Sequence, residues 1–373
     1  LQNIDIGNIS MPLNSNLIQG AQSLFGVRAD LKFGNTTISG IFSEQRSQSQ
    51  NITSQGGGKL EDFSLFALDY EEDRHYFISH YFRDNYNTAL QDNPLVNSPI
   101  DVTRVEVWVT NRSSETLNVR NIVGLSDIAE ADPNNIGPAN VTPVPGAYLP
   151  VNDANDISAI LTPTNPVREI ATISDALAPY AMQQGRDYSV LENAIKLRPD
   201  EYKIHPQLGF ISLNRRLNDG EVLAVSYEYT VVDASNGESS FKVGEFSNDG
   251  ISSPENLAVK LLRSEILTTK RTVAGTEEAF PTWNLMMKNI YALGASPLSP
   301  DGFRFELQYR DDQTGISSNT LQNAQSTDVA TKPLLQVFNL DRLDQTQYQT
   351  PDGYFDYVEG ITINSQNGYV IFP

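Results

Sequence analysis

Between Leu24 and Phe33 the chain reads Leu-Phe-Gly-Val-Arg-Ala-Asp-Leu-Lys-Phe. Phe25, Val27, Ala29, Leu31 and Phe33 are apolar, and the interleaved Arg28, Asp30 and Lys32 are charged. Successive side chains of a strand leave on opposite faces, so this pattern predicts a strand with one apolar and one strongly polar face. Gly34-Asn35 accepts positive φ and predicts a tight turn into a second strand over Thr36–Glu44. After the polar stretch from Gln45 to Gly58, a third strand is expected over Glu61–Leu68, with Phe63, Leu65 and Ala67 on one face. Two structures satisfy the first hairpin. One is a half-buried antiparallel sheet with its charged face in water. The other is a hairpin of a transmembrane β-barrel, with Phe25, Val27, Ala29, Leu31 and Phe33 toward lipid. Barrel strands show this alternation over about 9–11 residues, but weakly per strand, and alternation alone favours the soluble sheet.

The period then changes. Asp69 to Leu90 opens on acidic residues, which suit a helix N-terminus. Phe77 and Tyr81, then Phe82, Tyr86 and Leu90, recur at helical spacing, predicting an amphipathic helix over Asp73–Leu90. Phe77, Tyr81, Phe82 and Tyr86 give it a broad aromatic arc, which makes it a candidate docking element between the Leu24–Leu68 strands and the next strand. That strand is expected over Val102–Val109, with a returning one over Asn118–Leu125. From Asp127 to Asn165 the chain is rich in Pro, Asn and Asp and predicts a long irregular excursion, of the kind that is functional or flexible. Further on, the pattern predicts a short helix around Ile173–Tyr180, an extended stretch over Tyr188–Leu197, and strands over Lys203–Leu213 and Val222–Val232. A helix is expected to start at Ser253-Pro254-Glu255 and carry Leu257, Leu261 and Ile266. Another is expected over Pro281–Leu293, then a strand over Phe303–Tyr309 and a closing hairpin over Asp356–Phe372.

One internal echo stands out. Gln207, Gly209, Phe210, Ile211 and Leu213 align with Gln366, Gly368, Tyr369, Val370 and Phe372, which predicts a duplicated β-unit. The fold class expected is mainly β with some α, α+β, built on antiparallel strands and hairpins, with transmembrane strands and a mixed soluble insertion. The expected organisation is β-hairpins over 1–68, a β-rich insertion over 69–250, and helices with a returning hairpin over 251–373.

Composition narrows the function. The 373 residues carry 46 Asp and Glu against 26 Lys and Arg, a net charge of −20, which argues against a nucleic-acid partner. With no Cys there is no disulfide framework, thiol nucleophile or Cys zinc site. Both ends of the sequence look cut, and the chain reads as a segment of something longer. Three histidines, His75, His80 and His205, leave little for a catalytic triad. His75 and His80 are five apart rather than four, so they read as surface or interfacial residues rather than a metal pair. The acidic run Asp69, Glu71, Glu72 and Asp73 reads as a helix-start cluster. Asn152–Asp156 offers oxygen ligands without the spacing of a calcium loop. No enzyme activity, metal or cofactor is expected, calcium being the one ion left open.

Several stretches are distinctive beyond their periodicity. They are Leu24–Gly34, Phe42–Ser47, Gln55–Gly58, Asp69–Phe77, Tyr81–Tyr86 and Arg104–Arg112, joined later by Gln207–Leu213 and Trp283–Tyr291. In this order they resemble the SprA family, also called Sov: the giant outer-membrane translocon of the type IX secretion system and gliding machinery of Bacteroidetes. The resemblance spans about Leu17 to the end and is weakest over Asp127–Asn165. It implies a very large β-barrel that conducts folded proteins to the cell surface, with soluble parts at the surface or in the periplasm. It also implies a PorV-type barrel protein, a plug protein and secreted cargo as partners, and it turns Leu24–Phe33 and Thr36–Glu44 into barrel strands. It assigns no individual site residue. Two rivals remain on residues alone: a cell-surface adhesin or carbohydrate-binding β module, and a hydrolase using a carboxylate pair.

Overall fold

The computed structural model describes residues 3–9, 24–33, 36–43, 52–55, 58–113, 116–233, 237–273, 275–321 and 324–373. The chain divides into two compact units, residues 1–64 and 65–373. In the first, β1 (Asn3–Ile9), β2 (Leu24–Phe33) and β3 (Thr36–Ser43) form an antiparallel sheet in that order. β4 (Ile52–Gln55) and β5 (Gly58–Glu61) form a separate hairpin. The strand expected over Glu61–Leu68 does not form; residues 62–68 join no sheet. A turn over 66–69 stops it. The Asp69 carboxylate accepts from the Phe66 amide at 2.8 Å, and the Asp69 amide donates to the Phe66 carbonyl.

The second unit begins with β6 (His75–Phe77), α1 (His80–Ala89), β7 (Ile100–Val109), β8 (Val119–Leu125), α2 (Ile173–Leu177) and β9 (Tyr188–Lys196). Then come β10 (Tyr202–His205), β11 (Phe210–Leu213), β12 (Leu223–Asp233), β13 (Gly237–Val243) and β14 (Leu257–Arg263). The hairpin of β15 (Lys270–Val273) and β16 (Thr276–Ala279) leads to α3 (Pro281–Leu285) and β17 (Ile290–Ala292). After β18 (Tyr309–Arg310), β19 (Ser317–Ser318), α4 (Thr327–Ala330) and α5 (Leu334–Val337), the chain closes with β20 (Ile363–Asn364) and β21 (Tyr369–Ile371). The described residues are mostly β, with short helices, as the pattern predicts.

A closed barrel organises this unit. β12 pairs with β7 on one side and with β14 on the other. β14 runs parallel to β8, β8 pairs with β9, and β9 meets the end of β7, which closes five strands. Trp108, Ile122, Leu191, Ala224, Leu257, Val259 and Leu261 fill the interior. The outer faces are buried as well. Val107, Val109, Val225, Tyr227 and Tyr229 pack under α1 and the β10–β11 hairpin, and Val123, Leu125 and Ala258 pack under the excursion after β8. A fully buried large apolar side chain contributes about 1.5–3 kcal/mol, so the barrel is stabilised from both sides.

Two-sided burial explains the largest departure from the sequence pattern. Leu257–Arg263 is a strand with all seven residues buried, not a helix. A strand buried on both faces loses its alternation, and Leu257 and Leu261 then mimic helical spacing. β8 likewise does not return along β7; it lies between β14 and β9. The helix expected over Pro281–Leu293 ends at Leu285, because Met286 bridges to Tyr76 and β17 pairs with β21. Of the strand expected over Phe303–Tyr309, only Tyr309 lies in a strand, and the rings of Phe303 and Phe305 pack against Phe355 instead. Lys203–Leu213 is a hairpin rather than one strand, and the closing hairpin is confined to 363–371.

The excursion is a packed lobe, not a flexible loop. Ile128, Ile136, Val141, Ile157, Ile160 and Val167 share a core with Ile173 and Leu177 of α2. Prolines such as Pro133 and Pro166 open its short 3-10 turns. The buried Arg168 guanidinium clamps it to the barrel by a bidentate pair with Glu245, at 2.5 and 2.6 Å.

The echo is real in the backbone. In both copies a hairpin turns on a positive-φ glycine, Gly209 at 59° or Gly368 at 71°. In both, the return strand is central, order β10-β11-β6 and β20-β21-β17. The matching hydrogen bonds repeat: Ile78 N–H to Gly209 O and Leu293 N–H to Gly368 O, then Leu213 N–H to Arg74 O and Phe372 N–H to Asn289 O. The two copies also meet, through antiparallel bridges Tyr70–Tyr291 and Tyr76–Met286.

Candidate functional site

Three features carry the candidate chemistry. The first is the β1–β3 sheet. Its register pairs Ile6 with Val27 and Val27 with Phe42, Ile4 with Ala29 and Ala29 with Gly40, and Leu31 with Ile38. Directly paired positions share a face. The apolar positions of β2, Val27, Ala29 and Leu31, therefore continue across its neighbours, while Asp5–Arg28 and Asp30–Ser39 lie on the other face. Phe25 and Phe33 fall at the two ends of the same alternating series. Gly34-Asn35 of the predicted turn, and the side-chain surroundings of Phe25, Val27, Leu31 and Phe33, lie outside the described residues.

The second is the aromatic cluster. The helix is shorter than the pattern predicts, His80–Ala89 rather than Asp73–Leu90. Asp73 has a left-handed φ of 57°, and its carboxylate is held by Arg263 Nε at 2.9 Å and the Tyr76 hydroxyl at 3.0 Å. His75–Phe77 is then drawn into the sheet beside β11. Phe77 is thus a strand residue, and its ring meets Tyr86 edge-on at 5.4 Å. Tyr81, half-buried, and Phe82 and Tyr86, buried, do lie on α1. Phe82 sits directly over Gly209, where a Cβ would collide with the ring, and it contacts Tyr227 of β12. Within this unit the four aromatics join one core with Val102, Val107 and Val109.

The third is joined by no spacing in the sequence. Glu130, from the excursion, accepts from His80 Nδ1 at 2.8 Å and from Lys260 Nζ, all three being buried. Lys260 also donates to the Ser126 carbonyl. His80 Nε2 lies 2.8 Å from the Pro281 carbonyl, so both ring nitrogens face acceptors. Burial pushes the Glu130 carboxyl up, but His80 and Lys260 outweigh it and hold it at about 2. Next to it, burial drives Asp127 up to about 7 despite Lys260, Ser126 and Gly137. Its Oδ2 has no hydrogen-bond partner. His80 is therefore buried rather than at the surface. His75 is buried too, with Nδ1 2.7 Å from Ser212 Oγ, and burial, then Arg74, lower it to about 3. The sequence signal for the cluster is Lys260, a lone charge inside an apolar run.

Most of the side chains considered for other chemistry make structural contacts. Glu71 pairs with Arg74, Glu72 with Arg216 and Asp73 with Arg263, so the acidic run is an ion-pair belt ahead of β6 rather than a helix start. In the 152–156 loop, Asn152 Oδ1 accepts from the Gly244 amide, Asp156 Oδ1 accepts from the Thr142 amide, and the Asn155 carboxamide donates to the Asp127 and Glu130 carbonyls. These contacts hold the lobe together. Among the described residues, no helix is long and apolar enough to cross a membrane, and no group of three His, Cys, Asp or Glu side chains is placed to hold a metal ion.

No curated protein matches the chain. Residues 1–172 match the SprA N-terminal family model, described as a motility related/secretion protein. They include the β1–β3 sheet, α1, β7, β8 and the whole excursion, and this segment, somewhat less than half of the chain, is similar to the SprA/Sov family.

Proposed function

We propose that this chain is a non-enzymatic segment of an outer-membrane, β-barrel protein-conducting translocon of type IX secretion, which passes folded proteins to the surface of gliding Bacteroidetes. β2 and β3 are wall strands, and residues 65–373 are a folded β insertion. The observation that carries this reading is the register that continues the apolar positions of β2 into β1 and β3. A barrel wall needs one apolar and one polar face over successive strands. The pairing of Val27 with Ile6 and Phe42 and of Leu31 with Ile38 supports this reading, while Phe25 pairs with Asn8 and Arg28 with Ile41. The net charge of −20 supplies a polar, weakly adhesive surface for cargo. On this reading the partners are a PorV-type barrel protein, a plug protein and secreted cargo, and no cofactor takes part.

Val27→Arg in the full-length parent tests it. The substitution should cost about 2–4 kcal/mol of insertion at mid-membrane. The parent should then be lost from the outer-membrane fraction and cargo from the cell surface, with Arg28→Gln close to wild type. Normal secretion by the Val27→Arg strain contradicts the assignment.

A further inference from the structure

A cleft of about 360 Å³ opens between α1 and the segment around Met286–Lys288. Its floor is apolar, formed by Phe77, Met286 and Met287. These are two of the four methionines of the chain, and methionine adapts to apolar groups of different shape. Its rim carries two cations, Arg83 and Lys288. Arg83 touches Asp84, its neighbour in sequence, at 2.9 Å. Lys288 has no carboxylate partner among the described residues. Its ammonium donates to the Trp283 and Met286 carbonyls at 2.6 and 3.0 Å, which leaves one of its three protons. Burial, then the nearby Arg83, lower it to about 8. In a chain with 46 acidic residues against 26 basic ones, this half-buried ammonium shares the cleft lining with a second cation, Arg83, and among the described residues no acid lines the cleft. An incoming anion would relieve that repulsion. The carboxamides of Asn87 and Asn284, also on the rim, make no hydrogen bond to any described residue. A carboxamide offers both a donor and an acceptor, as a peptide backbone requires.

We propose that this cleft binds an extended peptide that places a carboxylate side chain between Arg83 and Lys288 and a neighbouring apolar side chain on the methionine floor. The cations set the preference for an acid, the two carboxamides take backbone groups, and the methionines tolerate a range of apolar neighbours. The site lies wholly within residues 65–373 and does not require the membrane reading of β2 and β3.

The test uses the whole 373-residue chain and two end-blocked peptides, acetyl-Ala-Leu-Glu-Val-Ala-amide and the same peptide with Gln for Glu. Binding is followed by calorimetry and by the fluorescence of Trp283, whose indole lies 4.5 Å from the Lys288 ammonium. The Glu peptide should bind at least tenfold tighter than the Gln peptide below pH 8, and the advantage should shrink above pH 8 as Lys288 loses its proton. Lys288→Gln should abolish the advantage. Arg83→Gln, at an exposed helix position, should reduce it severalfold and keeps the test readable if Lys288→Gln fails to fold. Equal affinity for the two peptides overturns the proposal. So does an advantage that survives in Arg83→Gln undiminished, or sulfate displacing the peptide at equal molar concentration, which would mark a simple anion site.

Discussion

The β1–β3 sheet and the five-stranded barrel of residues 65–373 are both β, yet they use the pleat in opposite ways. β2 alternates apolar positions with Arg28, Asp30 and Lys32, and its register carries the apolar positions into both neighbours. β14 has no such division: Leu257–Arg263 is buried throughout, one face in the barrel interior and the other under the excursion and the first hairpin copy. A strand walled in by protein on both sides is free to be apolar at every position, and a charge there needs a partner. Lys260 has one in Glu130. A strand separating two different surroundings keeps its period-two signature.

The sharpest way to break this contrast is to remove one charge from each region. Glu130→Ala leaves Lys260 and His80 buried without their carboxylate and should destabilise the chain by about 3–5 kcal/mol. Arg28→Gln, on the polar side of β2, should stay within about 0.5 kcal/mol. Urea unfolding of the two variants measures both; comparable losses would erase the distinction. A smaller effect is expected where packing, not charge, closes the barrel's outer layer. Gly209→Ala combines a left-handed φ with a methyl driven into Phe82, and should cost about 2–4 kcal/mol. In the second copy, Gly368→Ala meets the Ala295 carbonyl. Hydrogen exchange should show its opening confined to β17, β20 and β21, whereas Gly209→Ala should expose amides of β7 and β12 as well.

A further effect is a slope. Asp127, at about 7 against an ordinary value of 3.8, keeps a proton in the folded chain that the unfolded chain has already released. Its contribution is therefore fully present below about pH 4 and lost as pH rises toward 7. Asp127→Asn should remove that decline, measured as unfolding midpoints between pH 4 and 8. Glu130 acts in the opposite sense. Held at about 2, it stabilises above its ordinary value of 4.5, and that support disappears as pH falls toward 2.

What can be read from the sequence obeys the same division. β2 and β3 are legible to within a residue because alternation and a Gly-Asn turn are local signals. The paired hairpins are visible because Gly209 and Gly368 both meet a local demand for positive φ. β14 reads as a helix because two-sided burial removes the period that tells a strand from a helix. The aromatic helix reads too long because Tyr76 and Phe77 serve a three-residue strand whose partner, β11, lies more than a hundred residues away. The Glu130 cluster joins His80, Glu130 and Lys260 from three distant segments. No spacing rule links them, and Lys260 alone hints at a buried partner.

The central claim is that β2 separates lipid from a polar lumen, and spin labels placed singly at residues 25 to 33 of the membrane-inserted parent test it most directly. Collision with a lipid-soluble quencher should peak at Phe25, Val27, Ala29, Leu31 and Phe33 and drop at Arg28, Asp30 and Lys32, with a water-soluble quencher showing the reverse. Equal accessibility of neighbouring positions to the lipid-soluble quencher would contradict the account.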